Sequence, residues 1–133
     1  MGKYFSIGEL TRSSVARQKG IDNTPPPDAE VRLNRLIDRL LDPLRERWGG
    51  PITVTSGFRS PRLNEAVGGV PSSQHVKDEA ADITVGNPED NRKLFELIRT
   101  SGLAFDQLID ERNYAWIHVS YSAENRCQIL HLG

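Results

Sequence analysis

Two short segments, 80–85 and 115–121, constrain what this chain can fold into more than any other feature. Both read as β-strands, rich in apolar and β-branched residues. Alternation puts Ala80, Asp82 and Thr84 on one face of the first, and Ala81, Ile83 and Val85 on the other. In the second, Trp116, His118 and Ser120 share a face, opposite Ile117 and Val119. The apolar face of the first strand should pack on helices. Asp82 and His118 interrupt otherwise apolar runs, and strand packing gives no reason to keep them there.

The rest of the sequence supplies the helices. Leu33, Leu36, Ile37, Leu40, Leu41, Leu44 and Trp48 follow helical spacing, with Asp28 as a candidate cap and Gly49-Gly50-Pro51 as the stop. Pro43 should kink this run or open a second helix capped by Asp42. Residues 1–27, with Pro25-Pro26-Pro27, read as an irregular arm packed on the domain. A strand is expected at 52–55, a short helix at 61–67, and a helix from Pro88 to about Ser101 that buries Leu94, Leu97 and Ile98. Residues 105–110 pair as a further strand with 115–121 through a turn at Arg112-Asn113, and 127–132 add an edge strand. Helices come first and strands later. The expected fold is therefore α+β, a small antiparallel sheet with helices on one face and polar residues on the other, in one domain spanning 1–133.

Charge and cysteine content narrow the chemistry. Seventeen basic residues nearly balance eighteen acidic ones, so the basic footprint of a nucleic-acid binder is missing. The lone Cys127 excludes an internal disulfide and every zinc site needing two cysteines. It is expected to be a small buried hydrophobe. No segment has the length of a membrane-spanning helix, and the first ten residues lack a secretory signal. The expectation is a monomer that makes no membrane contact and starts in the cytoplasm.

Only three histidines are present: His75, His118 and His131. His75 lies seven residues before Asp82, in the loop feeding that strand. Catalytic zinc takes three protein ligands and keeps a fourth position open for water, and two imidazoles with one carboxylate suit it. A single His or Asp on a strand is more often a satisfied surface or core residue, so spacing leaves both readings open.

The surrounding residues carry more. Ser56-Gly57-Phe58-Arg59-Ser60-Pro61, Leu63-Asn64, Ser73-Gln74-His75, Glu79-Ala80-Ala81-Asp82 and Trp116-Ile117-His118-Val119 together resemble the zinc D-Ala-D-Ala carboxypeptidase family. The likeness is to its small single-domain members from phages and bacteria, and it covers residues 4–121. It implies a hedgehog- and DD-peptidase-like fold and one Zn2+ per chain, held by His75, Asp82 and His118. It implies hydrolysis of peptide bonds in bacterial peptidoglycan, of the D-Ala-D-Ala carboxypeptidase or the L-Ala-D-Glu endopeptidase type, as in phage endolysins, with the wall reached after release or wall fragments met inside the cell. Arg59 resembles the arginine that polarises the scissile carbonyl, and Ser73 a residue lining the substrate pocket. Trp116 is expected to line or cover the cleft, a core role being the alternative. His131 lies outside the motifs and is expected at the surface.

Two positions depart from the family pattern. Asp78 stands where many members have Gly. Ala115 stands where many carry the acidic base, three residues before the last ligand. Glu111, seven residues before His118, is the expected base, with Asp110 as runner-up, and the two point to opposite faces if the strand persists. The Ala115 departure also admits a second reading, a zinc-bearing domain that binds cell-wall peptides without cutting them, as in the hedgehog relatives of the fold.

Overall fold

The computed structural model describes residues 4–68, 79–122 and 124–132. The apolar spacing of the N-terminal half becomes one long helical run. Helix α3 (Pro27–Leu36) passes through a π-helical turn, Ile37–Leu41, into α4 (Asp42–Trp48). Leu33, Leu36, Ile37, Leu40, Leu41 and Leu44 are all buried along it. Pro43 explains the π turn. In a regular α-helix its ring meets the carbonyl four residues back, and it offers no N–H. Widening the turn by one residue, with Asp42 N–H bonded to Ile37 C=O, carries the helix past the proline. Asp42 is not the cap of α4, because Leu41 before it is already helical and takes that position. Asp28 is not the cap of α3 either. Pro26 takes the N-cap position, and Asp28 in the first turn pairs with Arg32 at 3.1 Å.

The N-terminal segment is more ordered than an irregular arm. It forms two short helices, α1 (Ile7–Thr11) and α2 (Ser14–Lys19). The Ser6 and Ser13 side chains cap them by accepting from the N–H groups of Glu9 and Ala16, each at 3.2 Å. Phe5, Leu10 and Ala16 are buried.

The sheet has five strands, β1 (Thr53–Ser56), β2 (Ala80–Thr84), β3 (Gln107–Glu111), β4 (Trp116–Ser120) and β5 (Gln128–Leu132), in the order β1-β2-β4-β3-β5. The first three pairings are antiparallel, as expected. The fifth strand is parallel to β3. It reverses direction after β4 but lands beyond β3, so it must run with β3. Cys127, at the entry to β5, is exposed rather than buried and has φ 52°. That entry is docked by Arg126, whose guanidinium donates to both carboxylate oxygens of the buried Asp106 at 2.8 and 2.9 Å. The acceptor raises the pKa of the guanidinium above its ordinary value.

Helices α5 (Pro61–Ala66) and α6 (Pro88–Thr100) complete the described elements. Asn87 caps α6, and Leu94, Phe95 and Ile98 enter the core with Ala81, Ile83, Leu108, Ile117 and Val119 of the sheet. Leu97 is only partly buried. One sheet face is thus packed on helices, and the residues alternating with these stand on the other.

Candidate metal centre

Asp82 and His118 are direct cross-strand partners at the middle of the β2–β4 pair. Both are nearly buried, at 7% and 8% exposure. Nδ1 of His118 lies 3.1 Å from Oδ1 of Asp82. Ile109 of β3 is the next residue across from His118, which puts Glu111, two positions on, diagonal to the imidazole on the same face. A glutamate is long enough to bridge that diagonal. Donor atoms of Asp82, Glu111 and His118 lie within 4.8 Å of one another.

This donor set fits a metal ion. Two carboxylates and an imidazole are the oxygen and nitrogen ligands that zinc accepts. Tetrahedral zinc with bonds of about 2.0–2.1 Å holds its ligand atoms about 3.3 Å apart. The 3.1 Å between Asp82 and His118 is close to that spacing as well as to a hydrogen bond. His75, Ser73 and Asp78 lie outside the described residues.

Asp110 goes the other way. Its carboxylate is buried on the helix-facing side, where Oδ2 contacts Nδ1 of His131. His131 is exposed, as expected, although its ring lies 5.4 Å from that of Phe95. Tyr114, beside them, has its hydroxyl pKa pushed up, first by burial and then by the Asp110 charge. The turn between β3 and β4 holds three consecutive residues at positive φ, Arg112 (50°), Asn113 (55°) and Tyr114 (65°). Ala115 closes it by donating to the Glu111 carbonyl at 3.0 Å. The position three before His118 is thus part of a turn, and Glu111 provides the carboxylate at the strand end.

Three contacts orient the polar face. Trp116 donates its indole N–H to Oε2 of Glu111 at 3.1 Å, and the Arg112 guanidinium lies 5.5 Å over the indole. Arg59, just beyond β1, brings Nη2 to 3.9 Å from Oδ2 of Asp82. Its guanidinium is steered by the Asn64 carbonyl oxygen at 3.2 Å and the Ser56 hydroxyl at 3.4 Å. A register shift between Val54 and Ser56 sets Ser56 opposite Asp82 and frees Thr55 to donate its hydroxyl to the Asp82 carbonyl at 3.2 Å.

Several supporting residues carried no role in the sequence. Asn64 was visible only as part of a motif, yet it is 2% exposed and holds Arg59. Asn91, fully buried on α6, accepts from Val85 N–H at 2.8 Å and donates to the Tyr114 carbonyl at 2.8 Å. It ties the end of β2 to the turn that carries Glu111. A buried-stripe pattern with Asn among leucines was its signal.

An α+β protein with a sheet face presenting an imidazole, two carboxylates and a guanidinium is equipped for metal-assisted polar chemistry. Residues 3–120 match the Peptidase M15 family, and the chain belongs to it. The resemblance carried by the motifs is thereby borne out. Zinc D-Ala-D-Ala carboxypeptidase of Streptomyces albus G is 35% identical over 85 residues, covering 62% of this chain and 32% of that protein. The chain matches about a third of that relative's length.

Proposed function

We propose that this protein is a zinc-dependent peptidase acting on the peptides of bacterial peptidoglycan. The observation that carries this reading is the convergence of Asp82, His118 and Glu111, with Arg59 alongside. In it, His75, Asp82 and His118 hold the ion. When bound, zinc lowers the pKa of a water to about 7 and polarises a carbonyl.

The remaining work falls to the chain. Glu111 accepts the proton of the attacking water and passes it to the leaving amine as the C–N bond breaks. Trp116 fixes the carboxylate for that transfer, and Trp116 and Ser73 serve in binding the substrate peptide. Arg59 donates to the carbonyl oxygen as negative charge develops there, where a planar, permanently charged group suits an oxyanion. The candidate bonds are D-Ala-D-Ala and L-Ala-D-Glu.

Mass spectrometry of defined muropeptides incubated with zinc-loaded protein, with a chelated control, tests the reading. A chelator-sensitive mass loss identifies both the activity and the bond. Intact peptides in the presence of bound zinc would instead favour a binding domain without turnover.

A further inference from the structure

A pocket of about 400 Å³ opens beside the centre and shares Arg59 and Ser56 with it. That volume is in the range of small-ligand sites, about 300–1,000 Å³. Its walls are apolar at Val15, Val54, Phe58 and Leu63, and the two charged residues that line it among the described residues are both cations, Arg12 and Arg59. Arg59 is already engaged near Asp82, whereas no carboxylate pairs with Arg12 among the described residues.

The pocket is held in shape by contacts that have no other evident purpose. Asn23 bridges its two sides. Its Nδ2 donates to the carbonyls of Thr11 at 2.9 Å and Phe58 at 3.0 Å, and its Oδ1 accepts from Ser60 N–H at 2.7 Å. Phe58 N–H also donates to the Leu10 carbonyl at 2.6 Å. These bonds fasten the backbone on either side of Arg59 to the residues just before Arg12. A cation so placed, over apolar walls and next to a reacting centre, suits the carboxylate of a bound peptide.

We infer that Arg12 is a specificity-determining residue that binds the free α-carboxylate of the residue on the leaving side of the cleaved bond. The inference rests on the peptidase reading of the neighbouring centre. Both candidate bonds share this chemistry. Terminal D-Ala carries a free carboxylate, and so does D-Glu when it continues the chain through its γ-carboxyl. The apolar walls then receive the short side chains and backbone around that residue.

The test uses the stem pentapeptide L-Ala-γ-D-Glu-L-Lys-D-Ala-D-Ala and two amidated forms, one at terminal D-Ala and one at the D-Glu α-carboxyl. Zinc-loaded wild type should prefer the free acid next to the cut bond by about tenfold or more in kcat/KM, the scale of a charge-assisted hydrogen bond. In Arg12→Ala that ratio should collapse toward one, and Arg12→Lys should restore part of it. An equal loss on acid and amide, or an unchanged ratio, would overturn the assignment. Calorimetric binding of the same peptides to zinc-loaded Glu111→Gln, with and without Arg12→Ala, reads the subsite without turnover. An Arg12-dependent preference in binding, with no cleavage by wild type, sinks the peptidase reading and keeps the subsite. Cleavage with no Arg12 dependence does the reverse, and neither cleavage nor preference sinks both.

Discussion

The indole N–H of Trp116 reaches Oε2 of Glu111 at 3.1 Å across the β3–β4 pair, where the two residues are direct partners. One oxygen of the carboxylate is thereby fixed, and the other can address the space beside Asp82 and His118. Replacing Glu111 by Gln keeps size and the indole contact but removes the base. Glu111→Gln should retain zinc by metal analysis while turnover falls about 100- to 10,000-fold. Wild-type-like turnover in that variant would strip Glu111 of its role.

Asp110, the neighbour of Glu111, faces the opposite side and engages His131 of the parallel strand β5. His131→Ala leaves a buried carboxylate without that partner. Because the His131 side chain is largely exposed, we expect a loss of about 1 kcal/mol or less in denaturant unfolding, with zinc binding and turnover of the folded protein retained. A variant as stable as wild type would show that the pair contributes nothing to holding β5.

Metal should stabilise the fold as well as serve the reaction. An ion that binds only the native chain adds about 2.7 kcal/mol when present at a hundred times its Kd. Excess chelator should therefore lower the melting temperature of zinc-loaded protein, and zinc should restore it. His118→Ala should bind zinc weakly and show a much smaller chelator-dependent shift. Full zinc occupancy in that variant would remove His118 from the ligand set.

Gly57 lies where β1 ends against α1. A Cβ there would sit 2.2 Å from the Leu10 carbonyl oxygen and 2.8 Å from Leu10 Cα, both backbone atoms that cannot swing aside. Gly57→Ala should cost about 1–3 kcal/mol through overpacking and push the Arg12 side of the pocket away from Arg59. Equilibrium unfolding checks the first effect, and a rise in KM exceeding the change in kcat checks the second.

The central strands were legible because β2 and β4 each carry an apolar face in strict alternation, interrupted by Asp82 and His118. The opposite facing of Asp110 and Glu111 followed from the same period of two. What lay beyond reach was set by contacts distant in sequence. His131 has no local feature that announces Asp110, since the parallel register of β5 on β3 creates that pair. Pro43 signals an interruption, but the helix absorbs it as a π turn because the leucines on either side stay buried together. Helices α1 and α2 are too short for periodicity to reveal. Their serine caps, with Glu9 three residues after Ser6, were the available signal.

The strand order β1-β2-β4-β3-β5 also bears on how the chain folds. Asp82 and His118 are separated by 36 residues, and their strands become neighbours only by closing the loop that contains α6 and β3. That closure costs chain entropy before any contact repays it. No fragment that stops short of β4 can assemble even part of this pair, so a nascent or frayed chain offers scattered donors instead of a partial site. Capture of the ion would then mark a late event in folding, and its rate could be followed as a clock for formation of the central sheet.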